Sequence, residues 1–193
     1  VMSADERDPA RQTMSAGRLK TLERLGLASE RRPGVWELDA ELEEIRKHDA
    51  ILFGSAGHPE IPDHITLWGL RLAICQPFDQ YANVRPTRVL PGITSPLRNV
   101  NGGELDWVIV RENSEGEYYA IGGMHHPGRT DEFVRQESIF TRVGCERIIR
   151  YAFEFAKKTG RKSVCMSDKN NVMRFGGDLW LRTFEEVAKE YAG

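Results

Sequence analysis

Three short apolar runs, each followed directly by a polar or glycine-rich segment, restrict the fold of this chain most strongly. They are residues 50–53 before 54–57, residues 107–110 before 111–116, and residues 163–166 before 167–171. An apolar run of this length bounded by turn residues is typical of a strand buried in a sheet. Open α/β sheets bind ligands beyond the carboxyl ends of their strands. The pattern therefore predicts an α/β fold whose chemistry lies in the three segments that follow the runs.

Helical periodicity fills much of the remaining chain. Apolar side chains recur at helical spacing over residues 37–48, 144–158 and 178–191, and more weakly over 16–27, which predicts helices there. Gly160 is expected to be the C-cap of the second of these helices, because glycine readily adopts the left-handed conformation that ends a helix. Asp178 is expected to be the N-cap of the last one.

Residues 117–140 follow neither pattern. Apolar residues alternate with polar ones around Gly122-Gly123 and His126-Pro127-Gly128, which predicts an extended hairpin or arm of the kind that often serves a subunit interface. The composition also changes near Arg85-Pro86, where we expect a boundary between two lobes. Residues 1–34 are rich in Arg, Glu, Ala and Ser without a convincing strand, so we predict an atypical N-terminal segment with disorder as one outcome.

Composition excludes several classes of function. The net charge of −2 argues against a nucleic-acid surface, which needs clustered Lys and Arg. No apolar run approaches the roughly 20 residues that cross a bilayer, and we find no signal peptide. The three cysteines have no metal-ligand spacing, and reduced thiols in a cytoplasmic protein are the simplest interpretation. A catalytic cysteine is the less favoured alternative.

Four side chains are candidates for chemistry on their own merits. Arg85 and Arg111 could grip a carboxylate, since the guanidinium fork donates two parallel hydrogen bonds, although a surface ion pair is the commoner role of one arginine. Lys169 could act as a base and Tyr118 as a proton donor. Taken singly, Tyr118 is more readily interpreted as a packing residue, and Lys169 is a weak signal because a solvated lysine in a turn is common. The glycine loop at residues 54–57 does not match a dinucleotide-binding fingerprint.

Five segments taken together resemble the isocitrate/isopropylmalate dehydrogenase family. They are residues 63–69 (DHITLWG), 78–86 (FDQYANVRP), 111–119 (RENSEGEYY), 136–142 (QESIFTR) and 167–172 (SDKNNV). The Leu67-Trp68 pair and the string at residues 111–119 resemble most closely the branch that acts on tartrate and D-malate. The resemblance covers roughly residues 35–193.

The resemblance implies a two-lobed isopropylmalate-dehydrogenase-like α/β fold that is incomplete in this chain. Residues 35–85 would form part of the outer lobe. Residues 86–193 would form the inner lobe, with the dimerisation arm at about 117–140. Family members are homodimers whose active sites combine both subunits, so a homodimer that binds a small-molecule hydroxy acid is expected.

The same resemblance implies a mechanism. Arg85 and Arg111 match the arginines that hold the substrate carboxylates. Lys169 matches the lysine, typically supplied by the partner subunit, that takes the proton from the substrate hydroxyl, while hydride passes to NAD. A divalent metal, Mg²⁺ or Mn²⁺, steadies the keto oxygen as a Lewis acid, and Tyr118 protonates the enolate left after CO₂ departs. Asn171 matches the Asn beside the nicotinamide. The metal-binding aspartates of the family lie downstream of residue 193.

Departures from the family pattern leave alternatives open. Cys75 stands where many relatives have a further arginine, so one carboxylate contact is expected to be lost or the substrate to differ. The family's opening strand is not recognisable in residues 1–34. A second hypothesis is therefore an inactive fragment that acts only through dimerisation. A third, a dehydrogenase of isocitrate or isopropylmalate, is disfavoured by the string Thr66-Leu67-Trp68.

Overall fold

The computed structural model of the protein describes residues 38–54, 58–98, 100 and 104–192. The chain divides into two compact units, Val1–Phe78 and Asp79–Gly193. The composition change near Arg85-Pro86 falls within a strand of the second unit. The expectations for residues 1–34, the helix predicted over 16–27 and most of the glycine loop at 54–57 lie outside the described residues.

Short helices form the first unit. Helix α1 is Leu38–Ile45, which confirms the helix predicted over residues 37–48. A continuous helical stretch follows: α2 (Asp63–Thr66), a π-helical segment (Leu67–Leu72) and α3 (Ala73–Cys75). The buried residues of this unit are mostly apolar, with Ile61, Leu72 and Ile74 buried together with Thr66.

The buried strand predicted at residues 50–53 is wrong. These residues form no strand, and Ile51, Leu52 and Phe53 are exposed, Leu52 completely. An extended segment becomes a strand only when a neighbour satisfies its backbone N–H and C=O groups. Among the described residues no strand pairs with this segment. The apolar run indicates a preference for extended backbone. It does not show whether a neighbouring strand is available to pair with it.

The second unit contains two separate antiparallel ribbons. Strands β1 (Ala82–Arg88) and β2 (Asp106–Glu112) form the first, paired from Ala82 opposite Glu112 to Arg88 opposite Asp106. Strands β3 (Gly116–His125) and β4 (Phe133–Ile139) form the second. The β3–β4 hairpin confirms the arm predicted over residues 117–140 as a hairpin.

Two long helices complete this unit: α4 (Arg142–Thr159) and α5 (Arg174–Glu190). Their shared core consists of Cys145, Ile148, Ile149 and Val187, against which Ala82 and Val110 of the first ribbon also pack. The opposite face of that ribbon carries Trp107 and Ile109, which are exposed. Residues 107–110 are therefore a strand, as predicted, but one face of it is open.

The third predicted buried strand, residues 163–166, is also wrong. The backbone there forms no ladder with any described strand, and Cys165 is exposed. The described sheets are two-stranded and antiparallel, so β2 and this segment are not neighbours in one sheet. The cause is the same as for residues 50–53, because strand formation depends on a non-local partner.

The ends of the two long helices test the two predicted cap residues. Helix α4 ends at Gly160 in the left-handed conformation (φ +70°), which confirms the predicted C-cap. Helix α5 begins at Arg174, so the prediction of Asp178 as its N-cap is wrong; Asp178 instead accepts a hydrogen bond from Arg182 Nε at 2.9 Å. The earlier start places Gly176 and Gly177 inside the helix.

These glycines have a packing role. A Cβ on Gly176 would lie 2.8 Å from the Phe140 ring, and one on Gly177 would lie 2.4 Å from Asn170 Cβ. Close packing on the first turn therefore offsets the poor helix propensity of glycine. None of the described helices is long and apolar enough to cross a membrane.

Candidate functional site

Arg111 and Tyr118 come into direct contact across the two ribbons. Arg111 Nη2 donates a hydrogen bond to Tyr118 Oη, and the guanidinium carbon lies 5.0 Å from the centre of the tyrosine ring. Arg111 is on β2 and Tyr118 on β3, and both side chains are half-buried. A predicted substrate-binding residue and a predicted proton donor are thus adjacent.

Arg85 lies on the same face of the first ribbon as Arg111. Asn83 is directly opposite Arg111, and residues opposite each other in an antiparallel pair share a face. Arg85 is two residues from Asn83, so it projects on that face as well. Its Nε donates to Asn83 Oδ1 at 3.0 Å, and Asn83 Nδ2 donates to Asn113 Oδ1 at 3.2 Å. The exposed Arg85 side chain is therefore held by an amide next to Arg111.

Sequence reasoning missed Asn83 as part of this site. The signal was available, because a polar residue two positions before Arg85 in a strand shares its face. Asn113 was also missed as an anchor: it is buried, its backbone N–H donates to the Tyr81 carbonyl at 2.8 Å, and its Nδ2 donates to the Gln80 carbonyl at 3.1 Å. This second role depends on how the chain folds back and has no local signature.

Lys169 and Arg111 line one cavity of about 350 Å³. Lys169 is exposed at the end of the extended segment before α5, and its carbonyl accepts from the backbone N–H groups of Val172 and Met173 at 3.0 and 2.9 Å. The turn thus fixes the Lys169 backbone and leaves the ammonium group exposed. Asn171 is exposed in this turn and does not line the cavity. The structure pairs Arg111 with Tyr118 and places Arg111 and Lys169 along one cavity, whereas Tyr118, Arg85 and Asn171 do not line that cavity.

The lining of the cavity is mostly apolar, with a smaller polar set. Its apolar part includes Ile148, Ile149 and Trp180 from the two long helices, and its polar part consists of Arg111, Glu112, Ser167, Asp168 and Lys169. If a small dicarboxylate binds in this cavity, its carboxylates need the hydrogen-bond donors of the two cationic side chains.

Glu112, one of the polar residues of the lining, also holds the loop after β2. Its Oε1 accepts from the backbone N–H and hydroxyl of Ser114 and from the backbone N–H of Glu115. Its Oε2 is buried and makes no hydrogen bond with any described residue. A buried carboxylate oxygen without a donor is costly. The residue therefore stiffens the loop after β2, and its second carboxylate oxygen is a buried acceptor.

A metal does not fit the described residues by themselves. No group of three His, Cys, Asp or Glu side chains gathers as a ligand set in the part of the chain that the structure describes. His125 stacks on Phe133 with ring centres 4.5 Å apart, and His126 Nδ1 lies 3.0 Å from Asp131 Oδ2. These histidines belong to the tip of the arm and are engaged in these contacts there.

The three cysteines are free and lie in different settings. Cys145 is buried in the α4–α5 core, and burial raises the pKa of its thiol to about 12, with the negative charges of Glu115 and Glu112 adding to the effect. It is a neutral packing group, not a thiolate nucleophile. Cys165 is exposed on the segment before α5, and Cys75 is half-buried in the first unit.

The fold and these motifs define a known class of enzymes. The isocitrate/isopropylmalate dehydrogenase family model matches residues 19–193, and the chain belongs to this family. It is 29% identical to the isocitrate dehydrogenase from Methylococcus capsulatus, with a TM-score of 0.63 over 89% of this chain and 46% of that one. Its fold is therefore isocitrate-dehydrogenase-like.

Within the family, the similarity is to the tartrate dehydrogenase and D-malate dehydrogenase branch. A protein of Agrobacterium vitis named "Probable tartrate dehydrogenase/decarboxylase" is 59% identical over 150 residues, or 78% of this chain and 42% of that protein. The D-malate dehydrogenase (decarboxylating) of Escherichia coli strain K12 is 44% identical over 150 residues, or 77% of this chain and 42% of that protein. The chain thus spans about two fifths of the length of these relatives.

Proposed function

We propose that the protein that carries this chain oxidises and decarboxylates a small 2-hydroxy dicarboxylic acid of the tartrate or D-malate type. NAD would accept the hydride, and Mg²⁺ or Mn²⁺ would be required. The observation that carries the proposal is the hydrogen bond between Arg111 and Tyr118, beside the cavity that Arg111 shares with Lys169. Relatives named as decarboxylating dehydrogenases support the reaction class.

Each side chain has a distinct part in this proposal. Arg111 and Arg85, which lie on the same face of the first ribbon, bind the substrate carboxylates through paired guanidinium hydrogen bonds. Lys169 takes the proton from the 2-hydroxyl group, and Tyr118 later donates a proton to the enolate carbon. The hydrogen bond from Arg111 holds the phenol beside the bound acid, which fixes its orientation before the reaction begins. Asn171 is assigned to the nicotinamide.

The arm supports a homodimer as the working form. Its side chains include exposed Ile121, Met124, Phe133 and Val134, which a second copy would remove from water. Free cysteines fit a reducing, cytoplasmic location.

The test is NADH formation with D-malate, tartrate, isopropylmalate and isocitrate in parallel, in the presence of Mn²⁺. Turnover with D-malate or tartrate is expected. Turnover confined to isocitrate or isopropylmalate would overturn the substrate class. A folded dimer that forms no NADH with any of the acids would favour the alternative, an inactive chain that acts only through dimerisation.

Variants then test the assigned roles. Lys169→Met should lower turnover by on the order of 10²–10⁴-fold, the usual contribution of a general base, while substrate binding is largely kept. Lys162→Met, at an exposed lysine of the same segment, is the matched control and should leave turnover unchanged. Tyr118→Phe should lower turnover, whereas Tyr119→Phe next to it should not. Unchanged turnover in Lys169→Met would show that the base is another group.

A further inference from the structure

A side chain from a distant part of the chain completes the capping of helix α4 at its N-terminus. Thr141 is the N-cap, and its Oγ1 accepts from the Gly144 backbone N–H at 2.9 Å. In a capping box, a Glu three residues after the cap would accept from the backbone N–H of the cap residue. That position is Gly144 here. The Thr141 N–H instead donates to Glu115 Oε2 at 2.9 Å, and Thr141 Oγ1 donates to Glu115 Oε1 at 2.6 Å.

Glu115 occupies the space that a side chain at position 144 would need. A Cβ built on Gly144 would lie 2.2 Å from the carboxyl carbon and from both carboxylate oxygens of Glu115. The Glu115 residue is only 8% exposed, and two hydrogen bonds hold its carboxylate. Any side chain at position 144 would therefore have to displace the carboxylate and break these bonds. We call this arrangement the Glu115 cap.

The cap joins the base of the arm to the helical core. Glu115 directly precedes Gly116, the first residue of β3, which pairs with Ile139 at the end of β4. Thr141 follows β4 by two residues and starts α4. Both strands of the arm are thus fastened to the first turn of one helix. A carboxylate is also favourable there, because the helix dipole is positive at that end.

A second set of contacts holds the neighbouring residue Ser114 to the same helix, one turn further on. Arg147 Nη2 donates to Ser114 Oγ at 2.7 Å, and Arg147 Nη1 donates to both carboxylate oxygens of Asp79 at 3.0 and 3.1 Å. These contacts hold Ser114 to α4 and to the chain just before β1, on the side of the first ribbon. The Glu115 cap instead fixes the loop where the arm begins. The position of the arm relative to the first ribbon therefore depends on this cap together with the hydrogen bonds that the Ser114 and Glu115 backbone N–H groups donate to Glu112 Oε1 at 2.7 and 3.1 Å.

We propose that Glu115 is a positioning residue for the candidate site. Tyr118 is on the arm and Arg111 is on the first ribbon, so the contact between them requires that the arm keep its place relative to β2. The Glu115 cap holds the arm in that place. Breaking it moves the proton donor away from the substrate-binding arginine without touching either residue. This inference rests on the proposed function of Arg111 and Tyr118.

The test is a double-mutant cycle of Glu115→Ala and Gly144→Ala in the active protein, with kcat and KM measured for each variant. Each single change should lower kcat by about tenfold or more, because a shift of about 1 Å can cost on the order of 10²-fold. KM should stay within about twofold, since Arg111 is still present. The double variant should be no worse than Glu115→Ala, because the added methyl then meets no carboxylate. Glu117→Ala, at an exposed glutamate two residues on, is the control and should leave kcat unchanged.

Thermal unfolding gives a second readout, because the effect of Gly144→Ala on the Tm should change sign with the residue at position 115. Gly144→Ala should lower the Tm of the protein with Glu115 present. In the Glu115→Ala background the same change should raise the Tm, because alanine is the better helix former. Glu115→Gln, which keeps one acceptor oxygen, should recover part of the lost kcat. Two results would overturn the assignment of the cap. One is a kcat of the double variant that falls by the product of the two single losses. The other is a lower Tm on Gly144→Ala both with Glu115 present and in the Glu115→Ala background.

NMR of labelled tyrosine separates this inference from the proposed function. The Tyr118 ring signals, identified with Tyr118→Phe, should shift in Glu115→Ala and Gly144→Ala by clearly more than in Glu117→Ala, where only a neighbouring side chain changes. A wild-type protein without turnover that shows these shifts would refute the proposed function and leave the positioning role intact. Unshifted Tyr118 signals in Glu115→Ala, or full kcat in that variant, would refute the positioning role.

Discussion

The helix pair α4–α5 and the arm β3–β4 belong to one unit of the chain but are held together in different ways. Between the helices, Cys145, Ile148 and Val187 are at most 3% exposed. In the arm, every residue from 119 to 137 is exposed. The helices are stabilised by burial, whereas the arm has little beyond its own backbone ladder and the contacts at its base. An isolated two-stranded hairpin is marginal in water, so those contacts at the base matter more than the length of the ladder.

Apolar truncation should show the largest difference between the two regions. Ile148→Ala in the core is expected to lower the free energy of unfolding by about 3 kcal/mol, the usual cost of removing buried isoleucine atoms and leaving a cavity. Ile121→Ala on the arm removes the same atoms from an exposed site, and about 0.5 kcal/mol or less is expected. Urea unfolding of the chain followed by circular dichroism measures both. Equal losses would mean that the arm is buried in solution, for example by a second copy.

A smaller difference is expected from two glycines with the same backbone strain. Gly160 ends α4 with φ +70°, and Gly128 lies in the turn of the arm with φ +79°. A Cβ has open space at both positions, so alanine costs only conformational strain of about 1–2 kcal/mol at each.

The strain introduced by Gly160→Ala and that introduced by Gly128→Ala should appear in different measurements. Gly160→Ala should lower the midpoint of global unfolding. Gly128→Ala should leave that midpoint unchanged and speed hydrogen exchange of the arm amides, because the arm opens without the core. A lower global midpoint in Gly128→Ala would show that arm and core unfold as one cooperative unit.

The smallest effect concerns the ion pairs that join α4 to α5. Arg150 donates to both carboxylate oxygens of Glu190 at 2.6 and 2.7 Å, and these hydrogen bonds hold the pKa of Glu190 below its usual range. A hydrogen bond from Arg142 likewise lowers the pKa of Glu186. A carboxyl group with a lowered pKa in the folded state stabilises the fold above its unfolded pKa. That contribution is lost as the pH falls through the folded value.

Acidification should therefore weaken the helix pair through these groups. From about pH 6 to about pH 3 the Tm should fall, and Glu190→Gln should make this fall slightly smaller. The groups are exposed and screened by solvent, which keeps the effect small. Glu185→Gln on the same helix is the control. An identical pH dependence in Glu190→Gln and in the wild type would show that the pair contributes nothing in solution.

The sequence predicts the features that depend on nearby residues. Helix α4 and its end at Gly160 follow from apolar spacing and from the preference of glycine for positive φ, and the arm follows from alternation around its glycines. Residues 50–53 and 163–166 are as apolar as β2 but form no strand, because pairing depends on residues far along the chain. Helix α5 starts before the predicted Asp178, because Phe140 and Asn170 pack onto Gly176 and Gly177, and this contact is not visible locally.

The candidate site divides in the same way. Arg111, Tyr118 and Lys169 can be picked out as chemical groups from the sequence and from the family resemblance. The hydrogen bond from Arg111 to Tyr118 cannot, because it depends on how two separate ribbons meet. Asn83 could have been found from its spacing to Arg85, but its hydrogen bond to Asn113 could not.

The Glu115 carboxylate fills the space that a side chain at position 144 would occupy. This limits which segments can be exchanged between homologous proteins. An arm grafted from another protein brings its own residue at position 115 but leaves position 144 behind in the recipient. A graft that pairs Glu115 with a larger residue at 144 would collide. One that pairs Gly144 with a short residue at 115 would leave the Thr141 backbone N–H without its acceptor. The boundary of an exchangeable arm therefore lies inside α4, beyond the first turn, and not at the ends of β3 and β4.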